Sequence, residues 1–144
     1  MWQILWQEQV KWSEPVPDEI KREWYNYKTK LLELNELKIP RQITIKEEIC
    51  GMQIHGFADA SVKAYGCCLY LRCSDHAGNH FSNLICAKSK VAPMKTVSLP
   101  CLELCAAQLL TRIAYKIISK MQLNLSKHQY WTDSEVTLCW IKST

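Results

Sequence analysis

Residues 51–144 hold five acidic side chains, Asp59, Asp75, Glu103, Asp133 and Glu135, against ten basic ones. Three of the five occupy special places in the expected layout. Asp59 closes a first strand, Glu103 lies in the first turn of a long helix, and Asp133 closes a later strand. If those two strands are neighbours and the helix crosses beside them, the three carboxylates converge at one end of a sheet. Like charges gathered in a small site call for a cation. Hard carboxylate oxygens suit Mg²⁺, which leaves coordination positions for phosphate and water. Two such ions about 3.5–4 Å apart can activate water and stabilise the leaving oxygen of a phosphodiester. The competing reading makes each acid a separate turn or cap residue, since aspartates often end strands and the helix dipole favours an early glutamate.

The elements that must position these acids follow from periodicity. Ile20, Trp24, Tyr27, Leu31 and Leu34 recur at helical steps. Pro17 suits the first turn, Asp18 and Glu19 suit the positive end, and Pro40 stops the helix. Residues 1–50 are therefore expected to be a helical connection segment, and residues 51–144 a separate domain. In the latter, residues 52–59 (MQIHGFAD), 67–73 (CCLYLRC) and 81–89 (FSNLICAKS) read as three strands. ASVKAYG makes the first turn, and SDHAGNH makes the second around Gly78. Ser98 is a candidate N-cap with Pro100 in the permitted first turn. Leu102, Cys105, Leu109, Ile113 and Ile117 continue a helix to about Met121, with Lys116 and Lys120 suiting its C-terminal end. YWTD reads as a buried strand and SEVTLCWIK as a final helix. The expected class is α/β, in the order β-β-β-α-β-α.

Composition narrows the setting. The chain has 144 residues, 48% hydrophobic and 22% charged, close to one ordinary globular domain with an appendage. Residues 1–50 carry 8 Lys/Arg against 9 Asp/Glu, net −1, and residues 51–144 carry 10 against 5, net +5. The basic second part fits a polyanionic partner. The N-terminus, MWQILWQEQVKW, has no basic start followed by an apolar core, so a secreted chain is not expected. No apolar run approaches the roughly 18 residues a membrane span requires. Eight cysteines without a C-x-x-C pair read as reduced core thiols of an intracellular protein, cytoplasmic or nuclear.

The stretches HGFADASVKAYGCCLYLR, LICAKSKVAPMKTVSLPCLELCAAQLL and YWTDSEVTLCWI closely resemble the ribonuclease H region of Pol polyproteins from Bel/Pao-type LTR retrotransposons. LWQEQVKWSEPVPDEIKREWYNY and IPRQI resemble the segment joining reverse transcriptase to that region. The resemblance covers nearly the whole chain. It implies a ribonuclease H-like mixed sheet and hydrolysis of the RNA strand of an RNA–DNA hybrid, leaving a 3′ hydroxyl and a 5′ phosphate. It also implies two Mg²⁺ (or Mn²⁺) ions on Asp59, Glu103 and Asp133, and a polyprotein shared with reverse transcriptase and integrase. Two departures stand out. The family's fourth carboxylate, with a further strand and helix, has no counterpart before Thr144, so a C-terminally truncated domain is expected. Cys101 stands where a basic residue is frequent. Glu135, one step into a new helix, is misplaced as a substitute. The truncation keeps a second reading open, that of a catalytically inactive remnant or an interaction module for nucleic acid or protein.

Other candidates are weaker. Lys88, Lys90 and Lys95 flank the loop before the long helix and could contact a phosphate backbone. Ser61 and Ser134 follow the site aspartates and could orient them or donate to phosphate, or serve only their turn and cap. Cys73, His76, His80 and Cys86 match no zinc spacing. His55 reads as a satisfied strand histidine. A retrotransposon-type aspartic peptidase needs Asp-Ser/Thr-Gly, but Asp59 is followed by Ala-Ser and Asp133 by Ser-Glu. An integrase core would order its acids D…D…E.

Overall fold

The computed structural model describes residues 2–39, 42–44, 49–122 and 124–143. The chain groups into two compact units, Met1–Ile39 and Pro40–Thr144. The first contains helices α1 (Trp2–Gln7) and α2 (Asp18–Lys30), followed by a 3₁₀ segment, Leu31–Glu36. Asp18 and Glu19 do occupy the first turn of α2, directly after Pro17. The expected apolar stripe is interrupted where the backbone tightens to three residues per turn. Of its members only Ile20 is buried, while Trp24, Tyr27, Leu31 and Leu34 are exposed. The helix α1 carries no sequence signal used above. The stop assigned to Pro40 lies outside the described residues.

The second unit is an α/β structure: β1 (Ile49–Ala60), β2 (Ala64–Asp75), β3 (His80–Val91), α3 (Leu99–Met121), β4 (Lys127–Trp131) and α4 (Glu135–Lys142). The four strands form one mixed sheet in the order β3-β2-β1-β4. Antiparallel hairpins join β1 to β2 and β2 to β3, and β4 returns parallel to β1 after the α3 crossover. This mixed sheet is the one the resemblance in the sequence implied.

The sequence explains each junction. Ser61 closes the first hairpin: its Oγ accepts from the Lys63 and Ala64 amides at 3.3 and 3.2 Å. The turn therefore occupies three residues rather than the whole of ASVKAYG, and β2 starts at Ala64. Asp75 closes the second, its two carboxylate oxygens accepting at 2.8 Å from the backbone and side-chain nitrogens of Asn79. Gly78 there has φ +84°, a left-handed conformation that side-chain-bearing residues rarely adopt.

One face of the sheet is covered by α3. Ile54 and Ala58 from β1, and Cys67, Leu69, Leu71 and Cys73 from β2, alternate inward as period-2 strands require. Helix α3 meets them with Ala106, Leu110 and Ala114, all at most 1% exposed. The innermost stripe is thus offset from the large residues that mark the helix in sequence; Leu109, Ile113 and Ile117 are only partly buried. Small residues bring the helix close. A Cβ on Gly56 would lie 2.7 Å from Leu110 Cδ1 and 2.8 Å from Tyr130 Cδ1, so only glycine fits under the helix.

Strand β4 departs from expectation. It spans Lys127–Trp131 rather than 130–133, and it is an edge strand with mostly exposed side chains rather than a buried one. With its outer edge unpaired among the described residues, Tyr130 and Trp131 remain 41% and 46% exposed.

Candidate metal centre

Parallel pairing puts the carboxyl ends of β1 and β4 at the same end of the sheet. Phe57 pairs with Trp131 at the last rung. Asp59 follows two residues later as the penultimate residue of β1. Asp133 lies two residues beyond the end of β4, just before the N-cap of α4. It is therefore a loop residue rather than a strand end. Thr132 and Ser134 shape that loop: the Ser134 amide donates to Thr132 Oγ1 at 3.3 Å, and Ser134 Oγ accepts from the Thr137 amide at 3.2 Å.

Glu103 comes from the crossover helix. It is the fifth residue of α3, one turn deeper than expected, and no acid occupies the first turn. The helix dipole therefore does not account for it. Its place is fixed by the buried face of α3, between Leu102 and Ala106, where it is 7% exposed. Ser98 takes the N-cap position without a side-chain cap bond, and Pro100 follows in the first turn.

The structure brings the three acids together. One ligand oxygen from each of Asp59, Glu103 and Asp133 lies within 4.8 Å of the others, and among the described residues no other trio of His, Cys, Asp or Glu does so. Asp59 and Asp133 are exposed, and Glu103 forms the floor. Burial, then Asp133, then Asp59 push the Glu103 carboxyl above its usual range, against a lowering hydrogen bond from the Ala60 amide. Its Oε2 is buried and has no hydrogen-bond partner. A buried, unpartnered oxygen costs about 1–3 kcal/mol, more when charged, so this arrangement is a poor way to stabilise a fold. It fits a hard divalent cation, which would satisfy Oε2 and offset the repulsion.

The other sequence candidates are placed as follows. Lys88 and Lys90 are exposed on β3, and Lys95 is exposed in the loop before α3. Lys88 lines a depression of about 510 Å³ together with Asp59, Ser61 and Ser89, so one of the three lysines opens onto the same hollow as a site carboxylate. The Ser61 hydroxyl serves its turn, donating to the Ala64 carbonyl at 3.2 Å, and Ser134 serves its cap. Glu135 is the first residue of α4 and lies outside the trio. Cys101 is exposed near the start of α3. His80 faces Ser74, with Nδ1 2.9 Å from Oγ, and joins no metal-ligand trio. His55 Nε2 lies 3.2 Å from Gln53 Oε1. Sequence reasoning missed the aromatic residues on the uncovered sheet face, Phe57, Tyr70 and Trp131. The alternation of Phe57 against Ile54, Gly56 and Ala58 was the available signal.

No helix is long and apolar enough to cross a membrane, among the described residues. No curated protein and no solved structure matches the chain. A family model does, over residues 1–134, a span that takes in the first unit, the second as far as Ser134, and all three clustered acids. The chain belongs to the family described as the Pao retrotransposon-like RNaseH-like domain.

Proposed function

We propose that this domain hydrolyses the RNA strand of an RNA–DNA hybrid in a metal-dependent reaction, as part of a retrotransposon Pol polyprotein that also carries reverse transcriptase and integrase. The observation that carries the reading is the trio of carboxylates within 4.8 Å, one of them buried with an unpartnered oxygen, in a chain of this family. Ribonuclease H-like families generally use divalent metals. Mg²⁺ or Mn²⁺ is the ion proposed here, held by Asp59, Glu103 and Asp133. Bound there, such ions supply a nucleophile from water at neutral pH and neutralise charge on the reacting phosphodiester.

The chain's own residues do the rest. Glu103 is held by α3 on the covered side and anchors the site from below. Asp59, near the end of β1, and Asp133, in the loop after β4, reach it from the same end of the sheet and stay open to solvent, where a phosphate can approach. Lys88 shares a hollow with Asp59, which supports contact with the flanking phosphate, and Lys90 and Lys95 would add sequence-independent attraction. The test is cleavage of an end-labelled RNA–DNA hybrid with Mg²⁺ or Mn²⁺, beside Asp59→Asn and a chelator control. Cleavage lost in both controls supports the reading. A folded chain that leaves the hybrid intact under all conditions refutes catalysis by this chain and leaves a binding module.

A further inference from the structure

The three clustered carboxylates are not held alike. Asp59 lies inside β1, paired with Gly66 across the ladder. Glu103 lies inside α3, where burial of its helix face fixes it. Asp133 belongs to neither kind of element. The ladder between β1 and β4 ends at Trp131, and α4 begins at Glu135. Local bonds within residues 132–134 therefore have to set its backbone, and two hydroxyls supply them. The Ser134 amide donates to Thr132 Oγ1 at 3.3 Å, closing a small ring with Asp133 in its middle. A side-chain oxygen that takes the amide two residues on replaces a backbone turn. Ser134 Oγ then accepts from the Thr137 amide at 3.2 Å, and the Ser134 carbonyl accepts from the Leu138 amide at 3.0 Å, so the same residue opens α4. That helix is seated by Thr137, which is 0% exposed. Trp131 in the ladder and Ser134 at the helix cap thus bracket Asp133, and the Thr132 hydroxyl spans the gap between them.

This bond works against a repulsion. Asp133 is exposed and takes part in no ion pair among the described residues. Its charged neighbours have its own sign: one oxygen from each of the three acids lies within 4.8 Å of the others, and Asp133 acts on Glu103 more strongly than Asp59 does. With water open on its outer side, a loop free to move would carry this carboxylate away from the other two. Holding its backbone keeps the three oxygens together before any cation arrives.

We propose that Thr132 is a positioning residue of the metal centre: its hydroxyl, by holding the Ser134 amide across Asp133, sets where that carboxylate stands and so how tightly the cluster binds a divalent cation. The inference rests on the metal-binding reading of the trio and adds to it a residue that touches neither ion nor substrate. Groups behind a metal ligand act in this way because a ligand already in place gives up less conformational freedom when the ion binds. Thr132 differs in this from Ser134, whose hydroxyl is engaged by the helix it caps.

The experiment is a Mn²⁺ titration of the full chain by calorimetry, beside urea denaturation in EDTA, for the wild type, Thr132→Val, Thr132→Ser and Thr137→Val. Valine keeps the shape of threonine and removes the acceptor. Mn²⁺ affinity is expected to fall roughly 10-fold for Thr132→Val, the low end of what losing a support behind a metal ligand costs. Thr132→Ser keeps the hydroxyl and should retain most of the affinity. Thr137→Val is the control: Thr137 Oγ1 is buried without a hydrogen-bond partner, so its removal should leave the affinity unchanged and should not lower the urea midpoint. A second arm needs no metal. In EDTA, Thr132→Val should lower the midpoint by about 0.5 M in an Asp133→Asn background, as loss of an ordinary hydrogen bond does. In the wild type it should lower it less, because a released Asp133 can leave its like-charged neighbours. Circular dichroism checks each fold, and Thr132→Ala takes the place of Thr132→Val should the valine variant unfold. A wild type that takes up no Mn²⁺ overturns the metal reading and this inference with it. A wild type that binds Mn²⁺ while Thr132→Val binds it equally well overturns this inference alone, as does an equal loss of midpoint in the two backgrounds.

Discussion

Glu103→Gln should stabilise the metal-free protein and abolish its response to divalent cations. The carboxylate lies within 4.8 Å of oxygens on both Asp59 and Asp133. Two unit charges at that distance repel by about 0.9 kcal/mol in bulk water and about 3.5 kcal/mol at an effective dielectric constant of 20. Both partners are exposed, which places each interaction near the lower figure, and there are two of them. An uncharged glutamine removes that repulsion. Its oxygen can still accept from the Ala60 amide, and its nitrogen can donate to a facing carboxylate where Oε2 now has no partner. The net gain is about 1–3 kcal/mol. Urea denaturation in EDTA at pH 7.5 reads it directly, as a midpoint rising by roughly 1 M for a slope of about 2 kcal/mol/M. Mg²⁺ at ten times its dissociation constant should add about 1.4 kcal/mol to the wild type and almost nothing to the variant. A variant less stable than wild type in EDTA, or equally stabilised by Mg²⁺, would refute the claim that this cluster is built for a cation.

Two further outcomes follow from the packing and the hairpins. Gly56→Ala forces a Cβ against Leu110 and Tyr130 and should cost about 1–3 kcal/mol. Combined with Leu110→Ala, which alone costs about 2–5 kcal/mol, the loss should be less than the sum, as a double-mutant cycle by denaturation can show. The Asp75 carboxyl is held below its usual range by its side-chain hydrogen bond with Asn79, helped by amides of the turn. A depressed carboxyl contributes stability above its unfolded-state pKa of about 3.9 and loses it as pH falls through the folded value. Asp75→Asn should therefore flatten the acid limb of a stability–pH profile below about pH 4 while lowering stability at neutral pH.

Much of this arrangement is legible in the chain. Period-2 alternation marks β1 and β2, Gly78 marks the second hairpin, and Ser98 with Pro100 marks the entry to α3. Together they give the order β-β-β-α-β-α and put Asp59 at the end of one strand and Asp133 just beyond another. What is less legible has physical reasons. Glu103 reads as a first-turn acid only if its distance from the Ser98 N-cap is overlooked: it is the fifth helical residue, and its real significance is burial rather than dipole. The innermost residues of α3 include Ala106 and Ala114, which a search for large apolar side chains passes over. YWTD looks like a buried strand because Tyr130 and Trp131 are aromatic, yet hydrophobicity does not say which face or edge a strand presents. Residues 60–66 look like one long turn because a single serine's ability to close a three-residue turn is a matter of hydrogen bonding, not composition.

Strand β1 also explains why the site cannot be separated from the core. Its even residues, Ile54, Gly56 and Ala58, lie under α3, while Gln53, His55, Phe57 and Asp59 face the other way. A one-residue slip against β2 would exchange the two sets, moving Asp59 under the helix and Ile54 into solvent. Burial of Ile54 and Ala58 therefore sets where Asp59 points. The same holds for α3, because the fit of Leu110 over Gly56 fixes the helix's height and rotation two turns from Glu103. Turning the helix by one residue, about 100°, would carry Glu103 away from both aspartates. The apolar contacts thus specify the positions of Asp59 and Glu103, while the repulsion among the carboxylates opposes the fold that assembles them. On the proposed reading, metal affinity and stability in this domain are for that reason coupled, and core variants far from the cluster should alter cation binding before they unfold the chain.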